Sequence, residues 1–172
     1  YSGMKHTEAK FCLIVTGGSV DQGLLAAVYE GAYGYPVHPY VIGVDKGLEA
    51  LEQSDIEPDL IIGDFDSAND GIRAKYVTSP DAVVRDRCIV LNPEKDFTDT
   101  HVAVLEAAKC GFTRVLLLGA TGTRLDHTLG NLGLLYTCCQ EGICAEILDP
   151  HNRISLIKEE KIVRAENLYG PY

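Results

Sequence analysis

The sequence predicts an α/β fold, a mostly parallel sheet with helices on both faces. Short continuous apolar runs alternate with amphipathic helical stretches from residue 11 to residue 148. Such runs suit strands buried on both faces, and strand–helix alternation implies parallel connections. Most runs end in a loop that carries glycine, aspartate or both.

Phe11-Cys12-Leu13-Ile14-Val15 is the first apolar run, and Thr16-Gly17-Gly18-Ser19 ends it. Asp21 to Tyr33 reads as a helix, with Leu24, Leu25, Val28 and Tyr29 on one face and Asp21 as its cap. Gly31 to Pro39 is rich in turn residues. Tyr40–Val44 is the second strand and ends at Asp45; a short helix through Leu48 and Leu51 runs to Gln53. Leu60-Ile61-Ile62 is the third strand. Gly63-Asp64-Phe65-Asp66-Ser67 follows it, placing two carboxylates one residue apart at a strand end. Asp70 to Tyr76 reads as a helix, with Asp70 as a cap, and 78–87 carries no clear pattern. Cys88–Leu91 is the fourth strand. The loop Asn92 to Asp99 opens a helix to about Lys109, closed by Gly111. Val115–Leu118 is the fifth strand, His127 to Gln140 a helix, and Ala145–Leu148 the sixth strand, ending at Asp149.

The texture changes after Pro150. Arg153–Lys158 and Lys161–Arg164 flank Glu159-Glu160 in the pattern of an antiparallel hairpin, so a domain boundary is placed near His151. The remaining stretch is too short to bury a core of its own, so either the second domain is incomplete or the hairpin packs on something else.

The net charge of −10 disfavours a general nucleic-acid or anionic-membrane binder, both of which need a basic surface. The 46% apolar content and 17 glycines fit a folded chain with many tight turns. Six cysteines lack any C-x-x-C spacing and several sit in apolar segments, as reduced, buried thiols of a cytoplasmic protein would. No apolar stretch reaches membrane-spanning length and none reads as a signal peptide.

Ligands of open α/β sheets bind beyond the carboxyl ends of the strands. Asp45, Asp64, Asp66, Asp96, Asp99, Arg124 and Asp126 all fall at that edge. Crowded carboxylates resist ionising together unless a cation neutralises them, which points to a hard metal such as Mg²⁺. Part of the enrichment is ordinary helix capping. In Lys95-Asp96-Phe97-Thr98-Asp99, a cation, carboxylates and a hydroxyl suit a metal-bound polyphosphate, with capping as the competing reading. In Gly119-Ala120-Thr121-Gly122-Thr123-Arg124-Leu125-Asp126-His127, the glycines allow close backbone approach and Arg124 suits a phosphate. Spacing fits Asp126 equally as a cap, a substrate contact or a metal ligand. A lone histidine such as His127, in a helix's first turn, is more often a polar contact than a proton shuttle.

Gly63-Asp64-Phe65-Asp66-Ser67, Lys95-Asp96-Phe97-Thr98-Asp99 and Gly122-Thr123-Arg124-Leu125-Asp126-His127 resemble, in order and approximate spacing, the motifs of the thiamine pyrophosphokinase family. Val44-Asp45-Lys46-Gly47 resembles an earlier motif of that family, with Lys46 where glycine is usual. The resemblance covers about residues 11 to 158. It implies a Rossmann-like ATP-binding catalytic domain at 11–150, and at 151–172 the start of a small β-sandwich domain that helps to bind thiamine. It also implies transfer of pyrophosphate from ATP to thiamine, a homodimer, and Mg²⁺ held by Asp64, Asp66, Asp96 and Asp99. Asp66, Asp96 and Asp99 are the implied catalytic set. Asp45, Lys95, Thr98, Gly122 and Arg124 are implied for ATP and its phosphates, and Asp126, His127 and Asn131 for the second substrate. The general base stays unassigned between Asp66 and Asp96. A pyrophosphokinase acting on a hydroxymethylpterin and a non-catalytic Mg-nucleotide-binding module are the competing readings.

Overall fold

The computed structural model describes residues 10–66, 70–94, 96–122 and 124–158. The strands are β1 (Phe11–Val15), β2 (Tyr40–Val44), β3 (Leu60–Gly63), β4 (Cys88–Val90), β5 (Arg114–Leu118), β6 (Cys144–Leu148) and β7 (Arg153–Ser155). They form one sheet in the order β4-β3-β2-β1-β5-β6-β7. β1 to β6 pair in parallel, and β7 pairs antiparallel to β6, with Ile147 opposite Ile154. The parallel α/β architecture expected from the apolar runs is therefore present. β7 extends this sheet at the β6 edge. The expected partner strand at Lys161–Arg164 lies outside the described residues.

Side-chain alternation along the strands builds two cores. Leu13, Val15, Val41, Ile61, Leu116 and Leu118 face one side. They pack with Leu25 and Val28 of α1 (Gln22–Tyr29) and Leu48 and Leu51 of α2 (Gly47–Gln53). Cys12, Ile14, Ile42, Ile62, Val115 and Leu117 face the other. Ala103, Val104 and Ala107 of α5 (Asp99–Lys109) and Leu135 and Cys138 of α6 (Leu125–Gln140) cover them. Losing any one of these large buried side chains to alanine costs about 2–5 kcal/mol, so the sheet is a rigid platform for its loops.

Local chemistry sets the element ends. Asp21 caps α1 by accepting a hydrogen bond from the Leu24 amide (2.7 Å). The helix stops at Tyr29, short of the expected Tyr33, because Gly31 takes a left-handed conformation (φ 88°) and its N–H bonds the Val28 carbonyl. Gly111, also left-handed (φ 81°), closes α5 as expected. The expected helix at 70–76 is a short turn, α3 (Asp70–Ile72), continued by a π-helical turn at Arg73–Val77; Asp70 stands inside its first turn. The unreadable stretch 78–87 contains a helix, α4 (Ala82–Asp86), capped by Asp81 through the Val83 amide (2.9 Å).

The chain lays down β1 to β4 on one side of β1, then crosses to place β5 on the other. The loops after β1 and β5 meet at that switch, and a cleft opens beside them.

Candidate active site

Hydrogen bonds hold the loops after β1 and β5 side by side. The Thr16 N–H bonds the Leu118 carbonyl, Gly18 N–H bonds Gly119, and Ser19 N–H bonds Thr121, at 2.8–2.9 Å. Asn131 of α6 donates to the Ala120 carbonyl (2.8 Å) and fixes the second loop to the helix. The Thr121 hydroxyl donates to Asp149 Oδ2 (2.8 Å). Burial opposes ionisation of Asp149. Hydrogen bonds from Asn152, the His151 amide, Thr121 and the Asn152 amide outweigh it, and its carboxyl is held below the usual carboxylate range. Beside these loops lies a cleft of about 750 Å³, lined also by Asp45, Lys46, residues 98–100 and the first turns of α6.

Three carboxylates meet at one side of this cleft. Asp45 follows β2, Asp64 follows β3 and Asp99 starts α5. One oxygen from each lies within 4.8 Å of the others, and all three side chains are half-buried. Two full charges 4.8 Å apart repel by about 3 kcal/mol at an effective dielectric near 20.

The backbone is bent to make this cluster. Asp45 and Phe65 both adopt left-handed conformations (φ 46° and 58°) that side-chain-bearing residues rarely take. Phe65 is fully buried and anchors the turn after β3, and Arg73 donates to its carbonyl oxygen (3.2 Å). Gly63 leaves the space that the Asp45 carboxylate fills: a Cβ there would sit 2.2 Å from Asp45 Oδ1. On the α5 side, the Thr98 hydroxyl caps the helix by accepting from the His101 amide (3.2 Å). The buried hydroxyls of Thr16 and Thr100 share a 2.6 Å hydrogen bond that ties the end of β1 to the first turn of α5.

The structure thus brings Asp45, Asp64 and Asp99 together, with Thr98, Gly122, Arg124, Asp126, His127 and Asn131 on or beside the cleft. Asp66 is exposed, and its amide bonds Asp64 Oδ1 (3.1 Å) in a tight turn; it lies outside the triad. Asp96 is exposed in the loop before α5, so it does not share a helix face with Asp99. Lys95 lies outside the described residues. Arg124 and Asp126 form a two-pronged pair (Nη2–Oδ2 2.7 Å, Nε–Oδ1 3.2 Å). Hydrogen bonding from Arg124 lowers the Asp126 pKa, and the same bond raises that of Arg124. The sequence marked the glycine-bearing loops that hold Thr16 and Thr121, but singled out neither threonine, nor Thr100 or Asp149, for the site. Asp149 carried the strand-end signal that marked Asp45 and Asp64. The threonine pair carried none, since a contact 84 positions apart leaves no trace in local spacing.

A parallel sheet with an acidic triad at its switch-point cleft defines a class of α/β proteins suited to a cation and an anionic ligand. Within that class the family is specific. Residues 36–147 match the family described as thiamin pyrophosphokinase, catalytic domain, and the chain belongs to it. The chain is 34% identical over 132 residues to the thiamine pyrophosphokinase of Bacillus subtilis (strain 168), covering 76% of this chain and 59% of that protein. The crystal structure of thiamine pyrophosphokinase from Bacillus subtilis superposes with a TM-score of 0.68 at 30% identity, covering 85% of this chain and 64% of that one. That of thiamin pyrophosphokinase from Geobacillus thermodenitrificans gives 0.64 at 29% identity, covering 84% and 62%. The chain therefore spans less than two thirds of the length of these relatives. Among the described residues no helix is long and apolar enough to cross a membrane.

Proposed function

We propose that the chain is the catalytic domain of a thiamine pyrophosphokinase, which transfers the pyrophosphoryl group of ATP to the hydroxyl of thiamine. The observation that carries this reading is the Asp45–Asp64–Asp99 triad at the wall of the switch-point cleft, in a chain of this family. The triad's all-oxygen donor set fits Mg²⁺. Bound there, the ion would offset the charge of a triphosphate that bare aspartates would repel.

The chain's own residues account for the rest. The glycine-bearing loops at Gly17–Ser19 and Gly119–Gly122 line the cleft and let a phosphate approach the backbone closely. Lys95 and Arg124 add local positive charge. The thiamine oxygen forms a bond to the β-phosphorus while the bond from that phosphorus to the α,β-bridging oxygen breaks, and AMP leaves with that oxygen. Positioning and charge dominate the barrier of such a transfer. The hydroxyl proton passes to a carboxylate, for which exposed Asp66 and Asp96 are the candidates. Asp126, His127 and Asn131, at the α6 side of the cleft, are proposed for the acceptor alcohol.

A homodimer is part of the proposal. Leu125, Leu129 and Tyr136 form an exposed apolar stripe along α6, which a second subunit would cover. A cytoplasmic site of action is supported by the free thiols at Cys12, Cys88, Cys110, Cys138, Cys139 and Cys144. The test is mass spectrometry of products from the full-length protein with ATP, Mg²⁺ and either thiamine or a hydroxymethylpterin. Thiamine diphosphate and AMP in equal amounts are expected. AMP formed only with the pterin would reassign the acceptor, and tight nucleotide binding with no AMP from either would leave a binding module.

A further inference from the structure

Two side chains with permanent positive charge line the cleft among the described residues, Arg124 and Lys46. They are in different states. The Arg124 guanidinium is engaged by both carboxylate oxygens of Asp126. The Lys46 side chain makes no hydrogen bond or ion pair among the described residues, and it is exposed. Its Cβ lies 3.4 Å from the point that a Cβ on Gly17 would occupy, so the lysine stands over the glycine turn that follows β1.

Helix stability does not account for this lysine. It occupies the N-cap position of α2 with a helical backbone (φ −64°, ψ −15°), and its side chain caps nothing. Lysine has no acceptor for the free amides of a helix start, and its charge opposes the positive end of the helix dipole. An unengaged cation kept in an unfavourable place, on the wall of a cleft with an acidic triad beside it, needs an anionic partner to offset that cost.

We infer that Lys46 is a polyphosphate-binding residue, and that its contact makes the cleft prefer a nucleoside triphosphate over a monophosphate. The inference rests on the nucleotide reading given above. The ammonium group neutralises charge that the triad's cation leaves uncompensated, while Arg124 stays partly committed to Asp126. A monophosphate, with less charge and shorter reach, gains little from it.

The experiment measures dissociation constants of the full-length protein for α,β-methylene-ATP and for AMP, both with Mg²⁺. It compares wild type with Lys46→Ala and Lys46→Arg, alongside thermal unfolding and AMP formation from ATP and thiamine. Lys46→Ala is expected to weaken the triphosphate analogue about tenfold and AMP less than about twofold, with Lys46→Arg close to wild type. Unfolding temperature should not fall, because the substitution removes a charge that opposes the helix. Unchanged affinity for the analogue, or an equal loss for AMP, overturns the inference. Wild-type AMP formation with no effect of Lys46→Ala on the analogue sinks this inference alone. Weakened analogue binding in a wild-type background that forms no AMP supports it and sinks the activity reading alone.

Discussion

Replacing Gly63 by alanine tests how the acidic triad is built. The added Cβ would lie 2.2 Å from Asp45 Oδ1, 3.1 Å from Asp45 Cγ and 3.3 Å from Phe65 Cε1. Ordinary contact needs about 3.4 Å or more, so the carboxylate must move by roughly 1 Å. Asp45 has little freedom to absorb this, because its backbone is already left-handed and its N–H bonds the Ile62 carbonyl (3.1 Å). The buried Phe65 ring blocks the other way out. Overpacking of this kind costs about 1–3 kcal/mol of stability. The larger effect falls on the triad, where displacing one carboxylate should weaken divalent-cation binding by about 10–100-fold. Titrating Mn²⁺ into wild type and Gly63→Ala, with urea unfolding in parallel, separates the two. A variant that loses stability but binds Mn²⁺ like wild type would refute the claim that Gly63 shapes a metal site.

Other expectations follow from the same geometry. Asp99→Asn should cut metal affinity and turnover together by about 100-fold or more while the fold persists, whereas exposed Asp66→Asn and Asp96→Asn should lower kcat and spare Mn²⁺ affinity; steady-state kinetics paired with Mn²⁺ titration distinguishes the two patterns. Thr16→Val leaves the buried Thr100 hydroxyl without its partner and should cost about 1–3 kcal/mol in urea unfolding. Asp149 has a lowered pKa in the folded state, so its hydrogen bonds contribute stability fully above the ordinary carboxylate range. That stability is lost as pH falls below about 4 toward the lowered folded value, and Asp149→Asn should flatten this part of the unfolding midpoint's pH dependence.

The sheet was legible because its inner parallel strands are buried on both faces, and continuous apolar runs such as Phe11–Val15 leave few other readings. Helices were less so at their ends: Gly31 stops α1 early, and α4 has no buried residue to announce it. Strand-end address was the site's readable signal. It brought Asp45, Asp64 and Asp99 to one edge, but could not say that Asp45 joins the other two while Asp66 turns outward and Asp96 stays in its loop. That choice depends on the left-handed turns at Asp45 and Phe65 and on the gap at Gly63, all set by tertiary packing. The Thr121–Asp149 and Thr16–Thr100 bonds are likewise products of the assembled sheet.

A crystal structure of the full-length protein with Mn²⁺ and α,β-methylene-ATP tests the central claim most directly. An anomalous peak ligated by Asp45, Asp64 and Asp99 is expected, with the triphosphate in the cleft lined by residues 16–19 and 119–122. A metal held by Asp66 and Asp96 away from the triad, or a triphosphate outside that cleft, would contradict this reading.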